Sequence, residues 1–292
     1  MFRTVIVLLI AVILVLLMLP VLLVLWIINL VRPELPLNGA FGWIARICLT
    51  PLLAIAGVRF EVTGEENLPE TVKSQTDSNS GTRIASDAVA DTVRKQADSN
   101  SGTRIASDAV AAPEDRAAIF VGNHQGGFDA IVPILFLGKP KSTVMKKEIE
   151  KVPLAGWALR MFGCIFLDRT DLKAQVNCLR EMETMLREGK DIAIFPEGTR
   201  SKGPDMGDFK AGAFRSAIAA QVPIVPFVID GSWHCYEENH RLTPHTVKIS
   251  ILPPFSTEGL TTADAKETAA RIRETMQKEQ SRLRAEKGKN NA

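Results

Sequence analysis

The chain has 292 residues, of which 46% are hydrophobic, and it carries a formal net charge of +2. That length suits one catalytic-sized domain once any membrane segment is subtracted. A charge so near neutral, without a basic run interleaved with aromatic residues, argues against nucleic acid as a partner. The 4 cysteines form no CxxC pair and fit no common zinc spacing with the histidines, so we expect reduced thiols and no metal site.

The N-terminal part of the chain is predicted to associate with a membrane. Residues 4–31 contain no charge and consist mainly of Val, Leu and Ile, enough to cross a hydrocarbon core that needs about 20 residues. A cleaved signal peptide is the alternative, but its apolar core would be shorter, about 7 to 15 residues. Residues 37–58 are apolar but interrupted by Arg46 and Pro51, which predicts an interfacial or re-entrant helix, with a second span as the alternative. Residues 1–58 therefore form the predicted membrane part.

A tandem repeat separates the first predicted strand from the rest of the chain. Residues 70–90 and 91–111 are two 21-residue units, and Asp77 to Ala90 recurs letter for letter as Asp98 to Ala111. The repeat is rich in Ser, Asp, Thr and Ala and has no aromatic residue, so it can bury little surface. We interpret residues 72–113 as an inserted loop that is largely disordered or weakly helical, with a regulatory or partner-binding arm as the alternative.

Short apolar runs alternate with helical stretches through the remainder of the chain. This pattern predicts an α/β protein with a mixed sheet flanked by helices, occupying residues 59–260. The predicted strands are 59–63, 117–122, 142–145, 164–167, 191–195, 223–229 and 246–251, and the predicted helices are 128–137, 153–162, 171–188 and 210–220. Residues 261–292 are predicted to form a polar helix and tail, capped by Thr261 or Thr262.

A histidine follows the second predicted strand, and a carboxylate follows five positions later. Gly126 and Gly127 give the intervening loop the freedom to fold Asp129 back onto His124. The carboxylate would then orient one ring nitrogen while the other faces a substrate, which is the minimum requirement for a general base near neutral pH. The alternative is a loop histidine beside a helix-capping aspartate.

Two further strand ends carry groups suited to an anion. Gly198 permits a tight turn after the strand at 191–195, Thr199 offers a hydroxyl, and Arg200 offers a planar fork for a phosphate. Glu197 would then either pair with Arg200 or bind a substrate hydroxyl. Arg169 follows another strand in the same way. Ligands of open α/β sheets bind outside strand ends, so these loops predict a site for a phosphorylated substrate.

Four blocks of the chain resemble the motifs of the glycerolipid acyltransferases. Asn123–Asp129 is similar to their NHxxxxD motif and Phe195–Ser201 to FPEGTRS. Gly163–Arg169 is similar to GxIFIDR, and Val222–Phe227 to the fourth block. The blocks keep the family's order, and they resemble most those of the bacterial lysophosphatidic acid acyltransferases. One departure is Gly126, where the family commonly has Ser.

The resemblance implies a fold, a reaction and a set of site residues. It implies the glycerolipid acyltransferase fold, and transfer of a fatty acyl group from acyl-CoA or acyl carrier protein to the sn-2 hydroxyl of lysophosphatidic acid. No resident cofactor is implied. The expected setting is the cell inner membrane, among membrane lipids, with the catalytic domain facing the cytoplasm. The implied catalytic residues are His124 and Asp129, and the implied substrate-binding residues are Asn123, Lys147 (or its neighbour Lys146), Arg169, Glu197, Gly198, Thr199 and Arg200.

Other functions remain open at the level of the sequence. The acceptor could be glycerol 3-phosphate or another lysolipid, such as a lyso-ornithine lipid. A membrane lipid-binding protein without turnover would keep the fold, although the intact His124 and Asp129 pair argues against it. A thioesterase would leave the two arginine-bearing loops without a purpose.

Overall fold

The computed structural model describes residues 38–69, 117–138, 141–152 and 155–290, with isolated positions among the first 28 residues. The predicted membrane helix over residues 4–31 and the repeat at 72–113 thus lie outside the described residues, apart from those isolated positions. Within the described part of the chain, no helix combines the length and apolar character needed to span a bilayer.

Seven described strands form one sheet. They are β1 (Val58–Thr63), β2 (Ile119–Gly122), β3 (Ser142–Lys146), β4 (Ile165–Leu167), β5 (Ile192–Ile194), β6 (Ile224–Asp230) and β7 (His245–Ile251). Their order across the sheet is β1-β7-β6-β2-β5-β3-β4. Pairing is parallel from β6 through to β4, whereas β7 runs antiparallel to β6. The predicted mixed sheet is therefore confirmed, and the carboxyl ends of five strands share one edge.

Six α-helices are described around the sheet. They are α1 (Asn38–Ala56), α2 (Val132–Leu135), α3 (Ala155–Met161), α4 (Leu172–Arg187), α5 (Gly212–Ala220) and α6 (Ala265–Asn290). A 3₁₀ turn over Gly127–Ile131 precedes α2. Except for this turn, whose residues were predicted as the start of an α-helix, the observed elements match the predicted ones closely.

The central strand β2 shows why helices cover both faces of the sheet. Its side chains alternate, so Ile119 and Val121 enter the cluster built with α4, α5 and α6, while Phe120 enters the opposite cluster with Val225. The strand is completely buried, as expected where both faces are covered. Burial of each large apolar side chain stabilises the fold by roughly 1.5–3 kcal/mol.

The final glycine of β2 permits close packing at the edge that carries the site. A Cβ added at Gly122 would lie 2.2 Å from the ring of Phe227 on β6. A larger residue would have to displace the Phe227 ring. The strand therefore ends in glycine at the point where its loop begins.

The C-terminal helix α6 packs against the core along one stripe. Its buried apolar residues recur at helical spacing and comprise Ala265, Ala269, Ile272, Met276 and Leu283. Thr261 stands at the N-cap position of the turn Thr262–Asp264 before the helix, and its N–H and Oγ1 both donate to Asp264 Oδ2 at 2.8 Å. Thr261 thus occupies the cap position predicted for it. Most polar residues of the helix face outward, but Thr268 and Gln280 are buried.

The helix α1 joins the same molecule rather than standing apart from it. Leu53 and Ala56 are buried in the cluster that contains Phe120, and Arg46 Nη2 donates to the carbonyl of Gly138 at 3.1 Å. The predicted helix at residues 37–58 is therefore observed. Its position relative to a membrane stays a prediction.

Candidate active site

Three loops meet at the carboxyl edge of the parallel strands. The loops after β2 and β5 are joined by backbone hydrogen bonds, with Ser201 N–H donating to the carbonyl of His124 at 2.8 Å. The loop after β4 reaches the same place, because Arg169 donates to the carbonyl of Gly198. The parallel sheet thus brings together the strand ends that the sequence singled out.

His124 and Asp129 form a direct side-chain contact. Nδ1 of His124 lies 2.8 Å from Oδ2 of Asp129. The carboxylate is completely buried, whereas the His124 side chain is 19% exposed. With Nδ1 carrying the proton donated to Asp129, Nε2 is left as the basic nitrogen, and it has no hydrogen-bond partner among the described residues.

The His124 ring is fixed by packing as well as by hydrogen bonding. It stacks on the ring of Phe195, with centroids 4.5 Å apart and planes inclined by 21°. Phe195 in turn meets the edge of Phe227 on β6. The imidazole therefore has its orientation set before any ligand arrives.

Carboxylates hold four consecutive amides of the loop that carries His124. Four consecutive backbone N–H groups donate to carboxylate oxygens over distances of 2.6–2.8 Å: His124 to Glu197, Gln125 and Gly126 to Asp129, and Gly127 to Glu237. These amides are consequently engaged within the protein. A negative charge developing on a substrate must be stabilised by other donors.

Glu197 is nearly buried and serves the backbone with both oxygens. Oε1 accepts from the N–H of His124 at 2.7 Å, and Oε2 accepts from the N–H of Gly207 at 2.9 Å. Burial raises the pKa of Glu197, and these two hydrogen bonds oppose the rise. Of the two alternatives given for Glu197, pairing with Arg200 is not observed, because its oxygens accept from the two loop amides and Arg200 contacts Glu237.

Arg200 pairs with a residue that lies outside all four sequence blocks. Its Nη1 lies 2.8 Å from Oε1 of Glu237, which belongs to the segment after β6. Glu237 is 4% exposed and also accepts from Gly127. Nothing in the local sequence around Glu237 indicated this role, since the contact spans 37 residues.

The other predicted binding residues occupy different positions around the edge. Thr199, Arg200 and Arg169 are exposed beside Gly198, whose φ of +72° suits a glycine. Lys147 is exposed and lies 3.5 Å from Asp168 on the loop after β4. Hydrogen bonds from Thr170, followed by that from Lys147, lower the pKa of Asp168.

Asn123 faces the sheet instead of the cleft. Its Nδ2 donates to the carbonyl of Ile229 at 2.9 Å, and its Oδ1 accepts from the N–H of the same residue at 2.7 Å. The side chain is fully buried. The Asn123 side chain therefore links the end of β2 to β6, and both of its polar atoms are occupied by Ile229.

Lys210 is a cation of this region that the sequence analysis missed. A Cβ added at Gly198 would lie 2.9 Å from its Nζ, so the ammonium group lies against the turn of the β5 loop. A cleft of about 540 Å³ is lined by Lys210 together with Glu197 and Thr199. The region thus contains three basic side chains close to one glycine-bearing turn: Arg169, Arg200 and Lys210.

One thiol close to the site, that of Cys235, has low reactivity. Burial, with smaller contributions from the carboxylates of Asp129 and Glu237, raises the pKa of Cys235 to about 12. Such a thiol is protonated near neutral pH, so it is a poor nucleophile. Among the described residues, no group of His, Cys, Asp and Glu is arranged to hold a metal ion.

The fold and the site define an α/β protein with a histidine–aspartate pair beside basic loops at the carboxyl edge of its sheet. A family model described as Acyltransferase matches residues 59–230, which is more than half of the 292 residues. The chain belongs to this acyltransferase family.

Two curated relatives show the extent of the similarity. A chloroplastic 1-acyl-sn-glycerol-3-phosphate acyltransferase of Arabidopsis thaliana is 41% identical over 118 residues, covering 40% of this chain and 33% of the relative. The 1-acyl-sn-glycerol-3-phosphate acyltransferase alpha of Homo sapiens is 35% identical over 167 residues, covering 56% of this chain and 59% of the relative. The chain thus spans less than two thirds of the length of either relative.

A solved structure shares the fold. The crystal structure of the 1-acyl-sn-glycerophosphate acyltransferase of Thermotoga maritima superposes with a TM-score of 0.58 at 24% identity, covering 85% of this chain and 78% of that one. At this identity the match concerns the fold alone. It agrees with the mixed sheet and flanking helices described above.

Proposed function

We propose that this protein transfers a fatty acyl group to the sn-2 hydroxyl of lysophosphatidic acid, giving phosphatidic acid. The donor in this proposal is a thioester, acyl-CoA or acyl carrier protein. The observation that carries the proposal is the 2.8 Å contact between His124 Nδ1 and Asp129 Oδ2, which leaves Nε2 as a base beside the Arg200 loop. Family membership and the names of the relatives support it.

The reaction needs a base because an alcohol is a weak nucleophile. As the sn-2 oxygen attacks the thioester carbonyl carbon, Nε2 of His124 takes the hydroxyl proton. Asp129 stabilises the imidazolium that forms. The tetrahedral intermediate then collapses, the C–S bond breaks, and the proton passes from His124 to the departing thiolate. This direct route, without an acyl-enzyme, agrees with the absence of a GxSxG elbow from the sequence and with the raised pKa of the Cys235 thiol.

The phosphate of the acceptor requires basic partners at a fixed distance from His124. Arg200 presents an exposed guanidinium on the loop that is hydrogen-bonded to the His124 loop, and Arg169 and Lys210 lie around Gly198 of the same turn. Planar guanidinium groups bind phosphate oxygens in pairs. In this proposal Arg200 is the main phosphate ligand, Gly198 and Thr199 shape the turn, and Lys147 faces the donor.

The chemistry of the acceptor and the product favours a reaction at a membrane. A lysolipid acceptor and a phospholipid product reside in a bilayer, which suits the apolar N-terminal residues of the sequence. The inner membrane, with the catalytic domain on its cytoplasmic side, is the setting we propose. The donors named above are cytoplasmic molecules.

The experiment compares acceptors in membranes that contain the full chain. Lysophosphatidic acid, glycerol 3-phosphate and a lyso-ornithine lipid are offered with acyl-CoA and with acyl carrier protein. Turnover with lysophosphatidic acid alone is expected, and His124→Ala should lower the rate by about 10²- to 10⁴-fold, the usual contribution of a positioned base. The matched control is His240→Asn, because asparagine tolerates the positive φ of 50° at this exposed position.

The outcomes separate the parts of the proposal. Turnover with another acceptor alone would keep the mechanism and replace the substrate. Unchanged turnover in His124→Ala would refute the general base. A folded wild-type protein without turnover on any acceptor would favour a lipid-binding role.

A further inference from the structure

The segment after β6 supplies a buried carboxylate that contacts both loops of the candidate site. Oε1 of Glu237 accepts from the N–H of Gly127, on the His124 loop, and from Nη1 of Arg200, on the β5 loop, each at 2.8 Å. A single oxygen thus links the loop of the base to the loop of the proposed phosphate ligand. Glu237 lies outside the four sequence blocks.

Its surroundings fix Glu237 in place. The side chain is 4% exposed, and its Oε2 is buried without a hydrogen-bond partner among the described residues. A Cβ added at Gly126 would lie 2.7 Å from Oε2, so the loop backbone packs directly against this oxygen. A carboxylate in such a position needs a nearby positive charge, because burial of an unpaired charge is costly. Arg200 supplies that charge.

Arg200, the other member of this ion pair, is exposed to solvent. The Arg200 side chain is 44% exposed, and no hydrogen bond from its Nε or Nη2 is found within the described residues. A guanidinium has five N–H donors in one rigid plane. Holding Nη1 therefore restricts the directions in which the remaining donors can meet a ligand.

We propose that Glu237 is a positioning residue for recognition of the acceptor phosphate. It holds the Arg200 guanidinium in one orientation beside the His124 loop, so that the remaining donors of Arg200 are arranged to bind the acceptor phosphate. This inference rests on the proposed function, in which Arg200 binds the acceptor phosphate. Losing the restraint lets a long side chain sample other rotamers, which weakens binding of the phosphorylated acceptor.

The test separates positioning of Arg200 from support of the His124 loop. KM and kcat for lysophosphatidic acid are measured in membranes containing the full chain, for Glu237→Ala, Glu237→Gln, Arg200→Ala and the double variant. Glu237→Ala should raise KM about tenfold with kcat within about threefold, because it removes the restraint on phosphate binding. Glu237→Gln keeps an accepting oxygen, so it should restore most of the affinity. The double variant should be no worse than Arg200→Ala, because coupled residues are not additive.

Two further variants keep the test decisive. Glu238→Ala is the matched control, since this neighbour contacts His234 and is 40% exposed. If Glu237→Ala fails to fold, Glu237→Asp replaces it; this variant keeps the charge but shortens the reach to Arg200, so KM should again rise. Thermal unfolding of each variant identifies such a failure.

Each outcome bears on a different statement. A fall in kcat with KM unchanged in Glu237→Ala, or additive effects in the double variant, would overturn the positioning role and leave Glu237 as a support of the loop. An unchanged KM in Arg200→Ala would instead refute the proposed phosphate ligand, and the inference with it. The two failures are therefore distinguishable.

Discussion

At the residue scale, several side chains of the candidate site act on the protein's own backbone. Asn123 uses both polar atoms on Ile229, and Glu197 uses both oxygens on loop amides. Asp129 accepts from two loop amides as well as from His124. Some polar motif residues therefore serve the proposed reaction, whereas others hold the loop backbone in place. Only the contacts in the structure distinguish the two roles.

Replacing Asn123 tests that division. Asn123→Ala would leave the N–H and C=O of Ile229 without their buried partners, which costs about 1–3 kcal/mol for each unsatisfied group. We expect a lower melting temperature and, in the protein that remains folded, a KM close to wild type. Thermal unfolding and steady-state kinetics check this. An unchanged melting temperature with a strongly raised KM would restore the role of substrate ligand predicted from the motif.

The raised pKa of Glu197 predicts how the stability of the protein depends on pH. Because burial raises its pKa in the folded protein, the unfolded chain loses this proton at a lower pH than the folded one. The free energy of unfolding should therefore fall as pH rises from the ordinary glutamate pKa to the raised folded pKa. Glu197→Gln should flatten the stability profile in that interval.

The measurement is thermal unfolding of wild type and variant at several values between about pH 4 and about pH 7, where glutamates titrate. The exposed helix residue Glu286, replaced by Gln, is the control. Parallel profiles for wild type and Glu197→Gln would contradict the assignment of this slope to Glu197.

At the element scale, the C-terminal helix α6 is connected to the site through one loop. Arg273 donates to the carbonyls of Gly207 at 2.7 Å and Met206 at 3.1 Å. The N–H of Gly207 donates to Glu197, which in turn accepts from His124. Three successive contacts, from Arg273 to Gly207, to Glu197 and to His124, thus lead from a helix outside the sequence motifs to the candidate base.

Removal of this anchor should affect both stability and turnover. Arg273→Ala deprives two partly buried carbonyls of their donor, so we expect a loss of about 1–3 kcal/mol in the free energy of unfolding. We also expect reduced kcat, because Glu197 loses a fixed partner. Lys278→Ala is the control, since its ion pair with Glu274 joins two exposed side chains of the same helix and should contribute about 1 kcal/mol or less. Equal effects of the two variants would contradict a specific role for Arg273.

At the scale of the whole molecule, the cysteines report on the integrity of the core. Burial raises the pKa of Cys178 to about 11 and that of Cys235 to about 12. Such a raised pKa leaves little of the Cys235 thiol ionised near neutral pH, and thiolate is the reactive form. Alkylation of Cys235 should be much slower in the folded protein than in denaturant. Mass spectrometry of labelled peptides checks this, and rapid labelling under native conditions would show that the segment after β6 opens readily.

The sequence determined the elements and the local part of the site. Periodic apolar residues predicted the described strands and helices because burial on one or both faces leaves a repeating signature. The contact of His124 with Asp129 was also predictable, since the two residues lie five positions apart in a loop with two glycines. These features depend on neighbours in the chain.

Only the tertiary structure decided the long-range partners. Arg200 pairs with Glu237 instead of Glu197, Asn123 holds Ile229 from 106 residues away, and Arg273 reaches Gly207 across 66 residues. Contacts between residues so far apart in the chain produce no periodic pattern and no recognisable spacing in the sequence. They arise because the parallel sheet gathers its strand ends at one edge, and which side chains then meet is set by how helices and loops pack there.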